Sequence, residues 1–361
     1  EIEEEMILNS EKHVARDEGH AEGHAEGHAE GHAKGLAEGA KEASIKDLFF
    51  AFVSILEYPA VILFTAMVVE LILPTKKKWC LSGMAPLFSK AAAKVNRPEN
   101  AISQTVFSGI FLPIATVTSF VLTLELLRFC VSSDVILSLI LLPILLESKG
   151  TLYQMFSVKR EIDNKNRESA RAVLQQFMKR DCMTLSDMGI CKALCEYTAM
   201  RMFINWFAVM VWYMILDLEG ALIMQLVAVM NNAFNFKEKK NEVFGSFIYK
   251  LEQSLLFPVL IVFIPLMLCS LSVIRIIKQL KRHITEYTSF ISSPVLDLLG
   301  SYANISLGGP RLYNGSKIRL TRIGGANDPD SRSALRLYNK IRFVGVMFVC
   351  LCVIQKILFS L

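Results

Sequence analysis

Long apolar runs constrain the fold of this chain more than any other feature of its sequence. A helix needs about 20 predominantly apolar residues to cross a bilayer. Apolar runs of this length, or somewhat shorter, cover 48–73, 105–127, 135–146, 200–216, 255–274 and 343–361. Of the 361 residues, 53% are apolar and 20% are charged, which disfavours a water-soluble globule. The pattern predicts an all-α fold, a polytopic helical integral membrane protein with five to six spans and the lipid bilayer as its main partner.

The first 47 residues differ in composition from the rest of the chain. Residues 1–47 hold 13 acidic and 5 basic side chains, whereas residues 48–361 hold 21 acidic and 34 basic ones. We therefore predict an acidic low-complexity tail over 1–47 and a helical membrane domain over 48–361.

A Glu-Gly-His-Ala repeat runs from Glu18 to Ala33 within this tail. On a helix its histidines would form one stripe able to bind Zn²⁺ or Ni²⁺. Each interleaved glycine costs a helix about 1 kcal/mol relative to alanine, which favours a plain low-complexity segment. Beyond residue 32 the only histidine is His283, and the eight cysteines form no C-x-x-C pair. We predict no metal-binding residues in the membrane domain.

Basic connections between the apolar runs predict the orientation of the chain. Residues 74–104 and 147–199 are rich in Lys and Arg and are separated by two crossings, so both are expected in the cytoplasm. Apolar residues at helical spacing over 170–178 indicate an amphipathic helix, and 147–199 is predicted to be a cytoplasmic helical hairpin.

Two further basic segments, 237–250 and 275–342, conflict with a single crossing at 255–274. A re-entrant hairpin broken at Pro258 and Pro265 would resolve the conflict, because irregular backbone is tolerated at membrane depth when it is buried in protein. The weakly apolar run at 218–230 is predicted to be re-entrant or tilted.

A glycine-proline segment lies within the basic segment 275–342. It reads Leu307-Gly308-Gly309-Pro310-Arg311, with Lys317 and Arg319 shortly after it. Adjacent glycines let backbone amides converge on an anion, and the basic side chains add positive charge. The segment predicts a cytoplasmic phosphate-binding loop, and a plain structural turn before the last span is the alternative.

The same segment carries a resemblance to a known family. The pattern Leu307-Gly308-Gly309-Pro310-x-x-Tyr313-x-Gly315 is followed by Ala334-Leu335-Arg336-Leu337-Tyr338. Supporting matches are Ala170-Arg171-Ala172-x-Leu174, Arg180-Asp181, Glu196, Trp212-Tyr213, Lys237 and Ile264-Pro265. Over about residues 63–361 the chain resembles the CbiB/CobD family of cobalamin-biosynthesis membrane proteins, the adenosylcobinamide-phosphate synthases.

The resemblance implies a multi-pass protein of the bacterial inner membrane with its main basic loops in the cytoplasm. Its members join the propionate of adenosylcobyric acid to aminopropanol or its phosphate through an amide bond. ATP and Mg²⁺ are the implied cofactors, the corrinoid and aminopropanol phosphate are the implied substrates, and no nucleic acid is involved. A homo-oligomer, or contact with other corrinoid-pathway membrane proteins, is a further expectation.

Several acidic positions of that family are replaced in this chain. Met200, Arg201 and Ile204 stand where acids and an asparagine are expected after Glu196. The remaining candidate catalytic residues are Glu196, Asp181 and Asn231. The candidate substrate- or phosphate-binding residues are Arg180, Arg201, Lys237, Gly308, Gly309, Arg311, Tyr313, Lys317 and Arg319.

Two functions from different classes follow from these observations. The first is an active, ATP-dependent corrinoid amide ligase. The second is a catalytically degenerate membrane paralogue with a sensing, regulatory or assembly role, since an acyl-phosphate route needs carboxylates for Mg²⁺ and most of them are replaced. A transporter is disfavoured because the spans lack the inverted repeat of broken helices.

Overall fold

The computed structural model describes residues 58–73, 80–131, 133–236, 238–269, 291–313, 316–318 and 321–360. The acidic tail with its histidine repeat lies outside the described residues, as do the candidate residues Lys237 and Arg319.

Helices make up most of the described chain. In order they are α1 (Pro59–Ile72), α2 (Ala85–Val95), α3 (Ile102–Cys130), α4 (Asp134–Leu145), α5 (Ser148–Asp163), α6 (Arg167–Gln175), α7 (Asp187–Met202), α8 (Ala208–Phe234), α9 (Ser246–Leu268), α10 (Ser292–Ala303) and α11 (Ser333–Ser360). A π-helical turn, Phe203–Phe207, joins α7 to α8.

Five helical stretches of the described chain are long and apolar enough to cross a membrane. They are Ile102–Cys130, Asp134–Asp163, Asp187–Phe234, Ser246–Leu268 and Ser333–Leu358, and Pro59–Ile72 is a shorter apolar helix. Only 11% of the apolar window of Ile102–Cys130 is buried by protein, as expected for a helix whose surroundings are lipid. The predicted polytopic helical membrane fold is confirmed.

The longest stretch, Asp187–Phe234, is interrupted by a sharp reversal. Leu216 has φ −134° and ψ 29°, and Asp217 has φ 47° and ψ −142°, so neither is helical. Beside this break the backbones of Trp212 and Gly220 touch, and a Cβ on Gly220 would lie within 3.0 Å of the Trp212 carbonyl oxygen.

Hydrogen bonds to α9 show how far the chain turns. Trp212 Nε1 donates to the Leu255 oxygen at 2.9 Å, and Asn231 Nδ2 donates to a Glu252 carboxylate oxygen at 2.6 Å. The two acceptors lie within one turn of α9, whereas nineteen residues of straight helix would separate the donors by roughly 28 Å. The run at 218–230 is therefore the returning arm of a helical hairpin.

Gly220 makes this reversal sterically possible, which leads to a first prediction. We expect Gly220→Ala to destabilise the detergent-solubilised protein by about 1–3 kcal/mol, because the added methyl group overlaps backbone that cannot move without opening the hairpin. Thermal unfolding followed by circular dichroism measures the change. Gly150→Ala is the control, since nothing lies within 4 Å of the position of its Cβ; equal stability of the two variants would contradict the close approach.

The expected break of 255–274 at its prolines is wrong for the part that the structure describes. Helix α9 continues from Ser246 to Leu268 through both Pro258 and Pro265. Pro258 leaves the carbonyl of Ser254 without its usual helical donor, but the neighbouring Leu255 carbonyl receives the Trp212 indole N–H. This hydrogen bond holds α9 against α8 one residue away from the carbonyl that the proline frees.

The helix ends gather at two opposite faces of the bundle. The connections 80–101, 146–186, 235–245 and 304–332 form what we call the basic face, and each contains Lys or Arg. Hydrogen bonds tie this face together: Ser82 to Glu147, Ser89 to Ala233, Asn96 to Lys240, and Gly308 to Glu196. On the opposite face Arg128 contacts three acidic side chains, those of Glu125, Asp134 and Glu219.

Two small elements complete the basic face. Helices α5 and α6 form a hairpin within the predicted segment 147–199, and Asn166 caps α6 by accepting the Ser169 N–H at 3.2 Å. After α10, strand β1 (Ser306–Gly308) pairs antiparallel with β4 (Arg322–Gly324), and between them β2 (Arg311–Tyr313) pairs with β3 (Ser316–Ile318).

Candidate functional site

A buried carboxylate in the second half of α7 is the centre of the candidate site. Ser186 begins the helix, because its hydroxyl accepts the Gly189 N–H at 3.2 Å and so satisfies one of the free amides of the first turn. Glu196 follows about two and a half turns later on the side facing the β-strands, and it is only 4% exposed.

Three groups bind the Glu196 carboxylate. Arg180 Nη1 lies 3.0 Å and Arg311 Nη2 lies 3.1 Å from Oε2, while the Gly308 N–H donates to Oε1 at 2.7 Å. These partners come from three different parts of the chain: the connection before α7, strand β2 and strand β1. A buried carboxylate is stable only when it is paired and hydrogen-bonded in this way.

The glycine-proline segment has the backbone that the carboxylate requires. Gly308 has φ +73° and Gly309 has φ +87°, values that residues with a Cβ rarely adopt. The Gly309 N–H donates to the Thr321 oxygen at 3.1 Å, which keeps β1 beside the strand β4. At the other end of β4, the buried Asp297 accepts the Gly324 N–H at 2.7 Å.

Lys192 is a fourth member of this cluster that the sequence analysis missed. It lies one helical turn before Glu196, and its Nζ is 3.4 Å from the place where a Cβ on Gly309 would be. The i, i+4 spacing of Lys192 and Glu196 was a usable indication, since residues four apart share one face of a helix. A lysine next to a basic loop is nevertheless hard to distinguish from the general excess of positive charge there.

Positive charge exceeds negative charge in this cluster. Arg180, Arg311 and Lys192 bring three cations to the carboxylate of Glu196, and the opposite charges of Arg322 and Asp328, which also act on Lys192, offset each other. Arg180 is 7% exposed, and among the described residues its Nε has no hydrogen-bond partner. A buried donor without an acceptor costs about 1–3 kcal/mol, so the arrangement can gain stability by taking up an anion.

The other candidate residues lie elsewhere. Asp181 Oδ1 accepts the Met183 N–H at 2.9 Å, and Asn231 pairs with Glu252. Arg201 is 3.7 Å from Glu147, on the opposite side of α7 from the cluster, because five residues turn a helix by about 140° beyond one full turn. Tyr313 lies on β2 and Lys317 on β3.

A second buried carboxylate, Glu70 of α1, supports the bundle rather than this cluster. It accepts the backbone N–H of Ser148 at 2.8 Å and the indole N–H of Trp206 at 3.3 Å. These bonds cap the start of α5 from another helix, in a place where lipid offers no water as a substitute. The sequence showed Glu70 only as an interruption of an apolar run.

The fold and the cluster together define a multi-pass helical membrane protein that carries a buried group of cations on its basic face. The family model described as "CobD/Cbib protein" matches residues 63–338. The chain therefore belongs to the CobD/CbiB family, which acts in cobalamin biosynthesis, and the resemblance stated above is confirmed. No curated protein and no solved structure matches the chain.

Proposed function

We propose that this protein is an adenosylcobinamide-phosphate synthase. It joins a propionate carboxylate of adenosylcobyric acid to the amine of aminopropanol or its phosphate and forms an amide bond. Family membership supports the pathway, and the cluster around Glu196 supports the binding of an anionic substrate. The two lines of support are independent, because one comes from the whole matched segment and the other from the local geometry.

The surplus of cations around Glu196 is the observation that carries the proposal. A phosphate group bound by Lys192 next to Gly309 would be close to Arg180 and Arg311 as well. Charge-assisted hydrogen bonds from such groups are about twice as strong as neutral ones. Glu196 then acts by orienting the two guanidinium groups and the Gly308 amide, and its own oxygens stay engaged.

ATP is the proposed source of activation for the carboxylate, and its phosphates suit the same cations. Mg²⁺ would be held mainly by the phosphates of ATP, together with one or two carboxylates. In the described parts of the chain no group of three or more His, Cys, Asp or Glu residues could hold a metal ion, and Glu196 is already bound to cations. No step of the proposed reaction is therefore assigned to a metal.

We further propose that the basic face lies in the cytoplasm, with the protein in a bacterial inner membrane. Each of its four connections contains Lys or Arg, whereas Arg128 on the opposite face is surrounded by Glu125, Asp134 and Glu219. This asymmetry follows the positive-inside rule. It would expose the cluster to the cytoplasmic pool of soluble substrates.

The positions of the other candidate carboxyl and amide groups favour a second function, that of a catalytically degenerate paralogue. Asp181 and Asn231 pair with Met183 and Glu252, so neither joins Glu196 as a second polar catalyst. A catalytically degenerate paralogue could keep the anion site and use it for sensing, regulation or assembly, as a homo-oligomer or with other corrinoid-pathway membrane proteins.

Complementation distinguishes the two functions. We expect the full chain to restore growth of a synthase-deficient strain supplied with cobyric acid, which needs the amide-forming step. Cobinamide, which bypasses that step, is the control supplement. A chain that is present in the membrane but restores growth only with cobinamide would support the degenerate paralogue.

Lys192→Met tests the role of the cluster in the same assay. We expect product formation to fall by at least about tenfold, because a half-buried cation facing the anion is removed. Lys250→Met, which removes an exposed lysine on α9, is expected to have no effect. If Lys192→Met keeps full activity at equal protein level, the phosphate group does not bind beside Lys192.

A further inference from the structure

A separate cavity lies on the basic face, away from the Glu196 cluster. Its volume is about 560 Å³, and its walls come from α2, the start of α3 and the connection 235–245. This volume is within the range of about 300–1,000 Å³ that is typical of small-molecule sites. None of the residues that line it belongs to the proposed synthase site.

Direct hydrogen bonds hold the walls of this cavity together. Asn96 Nδ2 donates to the Lys240 oxygen at 3.1 Å and to Asn241 Oδ1 at 3.0 Å. The Ser89 hydroxyl donates to the Ala233 oxygen at 3.4 Å. Helix α2 is thereby fixed to the end of α8 and to the following connection, so the cavity is formed before any ligand enters.

Among the described residues, the charged side chains that line the cavity sum to a single positive charge. Arg97 and Lys240 are basic, and Glu238 lies 3.2 Å from Lys240. Burial by itself would raise the pKa of Glu238, but hydrogen bonds from Asn235 and Lys240 lower it below its ordinary value. Glu238 is therefore ionised at neutral pH and offsets one of the two cations.

The position of the cavity relative to the bilayer restricts its ligand. Ile102 and Thr105 line it and begin α3, the spanning helix that protein buries least. Such a site lies where lipid headgroups meet the first turns of a membrane helix. The wall also contains small apolar side chains, including Ala92, Ala233 and Val243, and several asparagines.

We propose that this cavity binds the headgroup of an anionic phospholipid. The single negative charge of a phosphodiester matches the net charge of the lining, with Arg97 and Lys240 as its partners. The glycerol portion contacts the alanine and valine side chains, and the acyl chains continue along the exposed surface of α3. This goes beyond the proposed synthase function and does not depend on it.

Lipid titration of the purified full chain tests the proposal. We expect phosphatidylglycerol to raise the melting temperature in a neutral detergent and to give discrete bound states in native mass spectrometry, whereas phosphatidylcholine does neither. Ionic strength must be held constant, because the Lys240 side chain is 77% exposed and its attraction is screened by salt. Equal effects of the two lipids would overturn the proposal.

Matched variants locate the site. Each basic residue near an anionic headgroup contributes about a fivefold gain in affinity, so Arg97→Gln with Lys240→Gln is expected to weaken phosphatidylglycerol binding by roughly 25-fold. Arg160→Gln with Lys165→Gln removes the same charge elsewhere on the basic face and is expected to have no effect. Equal losses in both double variants would overturn the proposal.

The single variants and a competition experiment complete the test. If the double variant does not fold, Arg97→Gln and Lys240→Gln are each expected to weaken binding by about fivefold. Inorganic phosphate at matched ionic strength is expected not to displace the lipid. Displacement by inorganic phosphate would show that the cavity is a site for free anions and would overturn its assignment to lipid.

Discussion

Glu196→Gln is expected to destabilise the detergent-solubilised protein by about 3–5 kcal/mol, because removing one partner of a buried ion pair leaves uncompensated charge. Arg180 and Arg311 would both lose their counter-ion. The side-chain amide oxygen introduced by this substitution could still accept the Gly308 N–H, so the variant separates the effect of charge from that of shape. Thermal unfolding in detergent measures the loss, and synthase activity is expected to fall with it.

Glu125→Gln is the matched control for this prediction. Glu125 also pairs with an arginine, Arg128, but its side chain is 50% exposed. Exposed ion pairs contribute about 0–1 kcal/mol, so a small change is expected. Added phosphate is expected to stabilise Glu196→Gln more than wild type, since the variant has the larger surplus of positive charge. Equal stability of the two variants would contradict the buried cluster.

Gly308→Ala is expected to have a comparably large effect through the backbone. Gly308 has φ +73°, and a Cβ there would lie within 3.0 Å of the Thr321 oxygen. Strain of this kind costs about 1–3 kcal/mol, and weakening the hydrogen bond to the Glu196 carboxylate costs about 1.5–3 kcal/mol more. We expect a total loss of about 2.5–6 kcal/mol in thermal unfolding and a loss of anion binding.

Gly150→Ala is again the comparison variant, and it is expected to raise the stability of the protein rather than lower it. Gly150 lies inside helix α5, and nothing is within 4 Å of the position of its Cβ. Alanine in a helix interior is more favourable than glycine by about 0.5–1 kcal/mol. A variant Gly308→Ala that unfolds at the same temperature as Gly150→Ala would show that the glycine is not needed for the turn.

The membrane fold could be predicted from the sequence because lipid acts on each helix separately. A run such as 105–127 must be helical and apolar whatever its neighbours are, and the helix Ile102–Cys130 contains it. The same local rule separated the runs 200–216 and 218–230 at the position of the reversal, Leu216 and Asp217, but it did not show that the second run returns as a helical arm. It also gave the wrong result at Pro258 and Pro265, where helix α9 continues without a break.

The sequence also determined which kinds of residue the site contains. Adjacent glycines before a proline need a backbone with positive φ, and Gly308 and Gly309 adopt it. Glu196 and Arg180 were candidates by their resemblance to family positions and Arg311 by its charge beside the glycines, and the structure places all three in one cluster. Arg201, a candidate for its charge at a position where the chain departs from the family, lies on another side of α7.

Only the tertiary structure decided what these residues do to one another. Gly308 and Glu196 are 112 positions apart in the chain, and their hydrogen bond forms because α7 packs beside the strands that follow α10. That packing gives Glu196 its cations, adds Lys192 to the cluster and leaves Arg180 Nε without a partner among the described residues. Hydropathy and backbone preference are properties of short segments and can be predicted locally. The balance of charge in a buried site depends on which distant segments meet, and this is why only the folded chain determines it.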